Sequence, residues 1–174
     1  MKLTIKEMAI FSMLGTIMYV SKMIMELIPN VHLLAVFTIA FTIVYRKKAL
    51  YPIYIYVLLN GIFSGFAIWW IPHLYLWAIL WSVVMLLPKK INQKIAPFVY
   101  MLVCSLHGFL YGILYAPAQA IFYGLSMEGM FAWIIAGFPF DFIHGVSNFF
   151  CGALIVPIVS TLKLAERAIK ANTI

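Results

Sequence analysis

The stretch MAIFSMLGTIMYVSKMIMEL, residues 8–27, decides how the rest of the chain is read. At ~1.5 Å per residue, a helix of about 20 apolar residues crosses a hydrocarbon core of ~30 Å. The stretch is not uniform. Its first half carries Ser12, Gly15 and Thr16, and its second half carries Lys22 and Glu26 at a spacing of one helical turn. Small residues let a neighbouring helix approach closely, whereas ionisable residues inside a membrane are costly and mark function. One helix is therefore expected to hold two tasks, docking a partner and polar chemistry.

Composition places the whole chain in the same class as this stretch. Of 174 residues, 66% are hydrophobic and 10% charged, with a mean hydropathy of +1.05. Soluble domains carry roughly a quarter charged residues, so the expectation is a single all-α integral membrane domain spanning residues 1–174. The net charge of +7 does not point to nucleic acid, because the basic residues fall in short clusters between apolar runs, as in cytoplasmic loops. Cys104 and Cys151 lie inside apolar runs and form no CxxC pair, so they read as buried structural cysteines. The start, MKLTIKE, resembles a secretory leader, but the apolar part is too long and lacks a small-x-small cleavage site, so it reads as a retained first span.

Apolar runs cover residues 8–27, 31–45, 49–68, 72–87, 96–123 and 130–162. Lys2 and Lys6 precede the first, Arg46, Lys47 and Lys48 follow the second, Lys89, Lys90 and Lys94 follow the fourth, and Lys163, Arg167 and Lys170 follow the last. Six transmembrane helices with both termini cytoplasmic put every Lys and Arg except Lys22 on one side of the membrane. Splitting the last run at Gly137-Phe138-Pro139 would move its basic tail to the other side, so residues 124–139 are expected to be an outer loop or a part-embedded segment. The second and fourth runs, at about 15 and 16 residues, are short for a bilayer core.

Three constellations carry possible chemistry. Gly61 with Gly65, Gly108 with Gly112, and Ser12 with Thr16 are small-xxx-small pairs, and the two glycine pairs read as packing within the bundle. Trp69, Trp70, His73, Tyr75 and Trp77 surround Pro72 in a short outer connection, a pattern shared by interfacial aromatic belts and by small-molecule pockets. Among intramembrane polar residues, Lys22 and Glu26 are placed to pair, Asp141, His144 and Asn148 share one helical face, and Asn60 has no partner nearby in sequence. With His32, these groups converge toward the outer end and form the candidate substrate site. His32, His73 and His144 lack the spacing of a metal motif, and no nucleotide-binding loop or nucleophile elbow is present, so no metal or cofactor is expected on this chain.

The segments EMAIFSMLGTIMYVSK, residues 7–22, and PNVHLLAVFTIAFTIVYRKKALYPIYIYVLLNG, residues 29–61, on a basic six-span chain of this length, resemble the S component of energy-coupling factor vitamin transporters. That family carries a first-span Ala-xxx-Ala contacting a transmembrane coupling subunit. The matching positions here are Ser12 and Thr16, which stay small but are not alanine. The resemblance implies a substrate-binding membrane subunit of an ATP-driven importer in the plasma membrane of a prokaryote. Such a subunit captures a vitamin or precursor outside and reorients on the coupling subunit. ATP is used by two cytosolic partner ATPases, not by this chain. The aromatic outer loop suits a riboflavin- or cobalamin-like ring system, and Lys22 suits a carboxylate or phosphate.

Two other readings stay open on the residues alone. A self-sufficient carrier would show an internal repeat with broken helices, and none is visible. An intramembrane enzyme would use His144 as base with Asp141 orienting it.

Overall fold

Thr4 and Glu7 start the first helix. The Thr4 hydroxyl accepts from the Glu7 N–H at 3.2 Å while the Glu7 carboxylate accepts from the Thr4 N–H at 3.1 Å, a reciprocal cap that satisfies amides the helix itself leaves open. From there the computed structural model, which describes residues 3–171 with side chains through Arg167, is helical and contains no strand among the described residues. Lys2 and the side chain of Lys170 lie outside the described residues.

Eight α-helices follow in order: α1 (Ile5–Met25), α2 (Leu34–Tyr45), α3 (Leu50–Ser64), α4 (His73–Leu86), α5 (Ala96–Phe109), α6 (Tyr111–Tyr123), α7 (Met127–Cys151) and α8 (Ile155–Ala171). Among the described residues, four continuous helical stretches are long and apolar enough to cross a membrane: Ile5–Met25, Ile68–Leu86, Ala96–Tyr123 and Met127–Arg167. The protein is compatible with a membrane location on this ground. Large apolar side chains such as Met13, Ile24, Leu58, Phe63 and Phe131 stand on the outside, where a soluble protein would place polar groups.

Helices α2 and α3, with 12 and 15 residues, are about 18 and 22 Å long and fall short of a ~30 Å core. The fourth run is not among the short ones, because a 3₁₀ turn at Ile68–Trp70 extends it to 19 residues. The third run, expected to continue to residue 68, stops at Ser64. Gly65 there has φ +91°, which a residue with a side chain resists, and the chain turns.

The expected loop over residues 124–139 is a helix from Met127 onward. Gly124 closes α6 in the left-handed conformation, and the Ser126 hydroxyl caps α7 by accepting from the Gly129 N–H at 3.1 Å. The helix then runs through Pro139 without a break to Cys151 and pairs along α6 and α5.

Packing alternates along the bundle: α1 lies on α3, α2 on α4 and α8, and α5 on α7. In the last contact two backbones come together. A Cβ on Gly108 would meet the Gly145 backbone at 2.8 Å, and the Ser105 hydroxyl donates to the Gly145 carbonyl at 2.9 Å. Phe11, Met18, Ile39, Phe41, Ile53 and Ile155 fill the space between α1, α2, α3 and α8.

Side-chain bonds show which helix ends meet. Lys48 after α2 pairs with Glu7 at the start of α1, and the Arg46 guanidinium donates to the Met85 carbonyl at the end of α4 at 3.1 Å. Lys89, Lys90 and Lys94 share a cavity with Lys163 of α8. The basic clusters after α2, after α4 and in α8 therefore meet at one end of the bundle, leaving the connections α1–α2 and α3–α4 at the other.

Candidate functional site

The site grows from the short helix ends opposite the basic clusters. Pro72 starts α4 and presents His73 and Trp77 one turn apart on one face. Trp77 is 1% exposed and forms the centre of a ring cluster. Around it stand Tyr56 of α3 at 6.0 Å, His107 of α5 at 5.5 Å, Tyr111 of α6 at 6.5 Å, His73 at 6.4 Å and His32 of the α1–α2 connection at 6.4 Å between ring centroids. His144 of α7 closes the circle, 4.6 Å from His32 and 5.1 Å from Tyr111. All four histidines of the chain are in this cluster.

The hydrogen bonds fix two tautomers. A carbonyl oxygen only accepts, so the His73 Nδ1–H donates to the Trp69 carbonyl at 3.0 Å and Nε2 accepts from the Tyr111 hydroxyl at 3.3 Å. His107 Nε2 faces the Leu76 carbonyl at 3.4 Å, which leaves its Nδ1 as an acceptor. That Nδ1 is buried without a protein partner. So are Trp77 Nε1, His144 Nε2, His32 Nδ1, Asn60 Oδ1 and Asn148 Oδ1. Asn60 sits one turn from Tyr56 on α3, and Asn148, whose amide N–H donates to the Cys104 carbonyl at 3.3 Å, sits one turn beyond His144 on α7. Buried polar atoms are ordinarily paired, and an unpaired one costs about 1–3 kcal/mol. Six of them stand in one neighbourhood: His107 Nδ1 and the two amide oxygens as acceptors, the Trp77 indole N–H as a donor, and His32 Nδ1 and His144 Nε2 as either according to tautomer.

Of the residues expected at the site, His32, Asn60, His73, Trp77, His144 and Asn148 belong to this region. Lys22 and Glu26 stand at its rim. They pair with each other and line, with Pro29, Asn30 and His32, a small cavity of about 170 Å³ beside the ring cluster.

The remaining four serve the scaffold. The Trp70 indole donates to the Val57 carbonyl at 2.7 Å, and the Tyr75 hydroxyl donates to the Leu114 carbonyl at 2.9 Å. The Trp69 carbonyl accepts from His73 and, at 3.1 Å, from the Tyr115 hydroxyl. Asp141 receives the Gly112 N–H at 3.1 Å on both oxygens, so it holds the first turn of α6 just after the break at Leu110. Gly112 has no side chain because a Cβ would run into that carboxylate.

His107, Tyr111 and Tyr56 belong to the same ring cluster, and the sequence reading passed over them. His107 and Tyr111 are four apart in one apolar run, the same spacing as His144 and Asn148.

The docking residues of α1 divide. Ser12 and Thr16 are exposed, and the Thr16 hydroxyl donates back to the Ser12 carbonyl at 2.9 Å, leaving a smooth face. Gly15 points the other way, where a Cβ would meet Ile55 of α3 at 2.6 Å. Its smallness serves the α1–α3 contact inside the chain.

His144 meets His32 and Tyr111 edge-on, and among the described residues no group of three or more His, Cys, Asp or Glu is placed to hold a metal ion. Compared with family models, curated proteins and solved structures, the chain finds no match in any of the three.

Proposed function

We propose that the protein is the substrate-binding membrane subunit of an ATP-driven energy-coupling factor importer. It crosses the plasma membrane of a prokaryote six times, through α1, α2, α3, α4, the α5–α6 pair and the α7–α8 pair, with both termini in the cytoplasm. The positive-inside bias supports this orientation, since the basic clusters meet at one end. The observation that carries the reading is the set of buried polar atoms without protein partners around Trp77, at the opposite end, facing outside in this orientation. A region that offers acceptors and a donor, walled by aromatic rings and with the Lys22–Glu26 pair only at its rim, suits a ring-bearing vitamin or vitamin precursor whose buried part is uncharged and forms hydrogen bonds. Lys22 at the rim suits an acidic substituent once Glu26 releases it. Ser12 and Thr16 supply the exposed face on which a coupling subunit docks, and the two partner ATPases supply the energy.

The test is native mass spectrometry of protein purified from rich medium, followed by uptake assays in vesicles. A retained small molecule, and uptake that requires the coupling subunit and ATPases, is the expected result. Uptake by the protein alone would replace this reading with a self-sufficient carrier.

A further inference from the structure

The end of the bundle opposite the ring cluster carries a feature that substrate capture does not use. A cavity of about 1050 Å³ opens between the α4–α5 connection and α8, with Lys89, Lys90, Lys94 and Lys163 in its lining. A second cavity of about 260 Å³ adjoins it, sharing Ile43, Lys89 and Tyr100 and adding Arg46. Together they form one groove with five cationic side chains and no acidic residue in either lining. The nearby carboxylates are elsewhere: Glu7 is held by Lys48, and Glu166 lies outside the lining. Lys89, Lys90, Lys94 and Lys163 are exposed, so their charge is spent on no internal partner.

The chemistry of the groove is two-sided. Its mouth is cationic, while Ile43, Ala96, Pro97, Val156 and Val159 form an apolar wall. Ala96 and Pro97 begin α5, and Val156 and Val159 belong to α8, both parts of stretches apolar enough to lie in a bilayer. A free inorganic anion gains from the lysines but leaves that wall exposed, and an acidic peptide gains little from it. A molecule with an anionic head and an apolar body satisfies both sides. We propose that this groove is a binding site for an anionic phospholipid, with the phosphate among Lys89, Lys94 and Lys163 and the glycerol and upper acyl chains along the apolar wall. The site is independent of what the ring cluster binds.

The test uses the full chain, first without any substitution. Reconstituted in vesicles of equal parts phosphatidylglycerol and phosphatidylcholine, then extracted gently and weighed by native mass spectrometry, the protein retains phosphatidylglycerol in preference. Equal retention of the two lipids overturns the proposal. Competition by inorganic phosphate or diphosphate at matched charge leaves retention unchanged; displacement makes it a soluble-anion site and overturns the lipid assignment. Poly-glutamate that binds more tightly than the lipid overturns it in favour of a protein partner. With about 1 kcal/mol from each groove lysine held against the bound headgroup, the double variant K94Q/K163Q loses about 30-fold in phosphatidylglycerol affinity. K47Q, an exposed lysine outside the groove, changes it less than about twofold. A loss of about fivefold in K47Q, one lysine's share of a diffuse field, reduces the effect to diffuse charge and sinks the site.

Discussion

At one end of the bundle, polar groups are ions. Lys48 meets Glu7, Arg46 reaches the Met85 carbonyl, and four lysines line an open groove. At the other end, around Trp77, most are buried rings and amides, and six of their atoms have no protein partner, with the Lys22–Glu26 pair at the rim and Asp141 held by the Gly112 N–H. The difference follows from where each group can find water or headgroups. Charges at a helix terminus keep their long stems on apolar surface and their heads in solvent. A neutral imidazole, indole or amide can be buried at a far smaller cost, and that cost is recovered when a ligand supplies the missing hydrogen bonds. On the proposed function, the first end faces solvent and partners and the second receives the substrate.

The largest effect should come from the α1 surface between these ends. Thr16→Trp places a large ring on the smooth face beside Ser12 and is expected to reduce uptake in the reconstituted importer to background while leaving substrate affinity within about twofold. Lys22→Ala, further along the same helix, does the reverse and lowers affinity about tenfold, as expected for loss of one charged hydrogen bond. At 100° per residue Lys22 and Glu26 lie only about 40–80° round the helix from Ser12, so depth rather than angle separates the two tasks. If both variants weaken binding equally, that separation is wrong.

Next in size is Trp77→Phe, which keeps a ring at the centre of the cluster and deletes the unpartnered N–H. Affinity should fall about tenfold to a hundredfold, matching ~1–3 kcal/mol for a lost buried hydrogen bond. The melting temperature of the ligand-free protein should stay within a few degrees, since the small cavity created, costing about 1 kcal/mol, is offset by no longer burying a bare N–H. A large drop in stability with unchanged affinity would make Trp77 a packing residue only.

How far this molecule was legible in its sequence depends on the kind of signal. The basic clusters after residues 45, 88 and 162 announced that one end would collect the charge, because charge alternates with apolar runs in a way no soluble fold requires. The helical face of His144 and Asn148 was readable from spacing alone. His107 was missed because it is a single polar ring inside an apolar run, and its importance lies in α4 and α7 bringing Trp77 and His144 to it. Asp141 was visible, but its task at the Gly112 amide was not, since it depends on a helix break at Leu110 that no proline or glycine marks at that residue. The helix over residues 127–139 was hidden by Pro139, a residue that ends helices in water more readily than inside a packed apolar bundle.

A smaller effect tests the joint between the two ends. Gly108→Ala puts a methyl against the Gly145 backbone where α5 and α7 touch, and Gly145 is the neighbour of His144. Overpacking of this kind costs about 1–3 kcal/mol, so thermal unfolding should shift down by several degrees. Because α5 and α7 carry His107 and His144, affinity should fall along with stability, and added substrate should restore part of the lost melting temperature. Loss of stability with full affinity would mean that the ring cluster does not depend on this contact.

The smallest effect belongs to the charged end. Glu7→Gln removes the partner of Lys48, and with both side chains about a third exposed the pair is worth no more than about 1 kcal/mol, less at high salt. Glu7 also accepts from the Thr4 N–H, and glutamine keeps that cap because its carbonyl oxygen takes the same place. The variant therefore isolates the ion pair from the helix start. It is expected to lower the melting temperature by a few degrees at most, to lose the salt dependence of that increment, and to leave substrate affinity unchanged, measured by titration at low and high salt. A change in affinity from so distant a pair would mean that the turn holding Arg46, whose φ is +52°, is coupled through α3 and α4 to Tyr56 and Trp77. The two ends would then act as one device, with the charged turn setting the geometry of the rings.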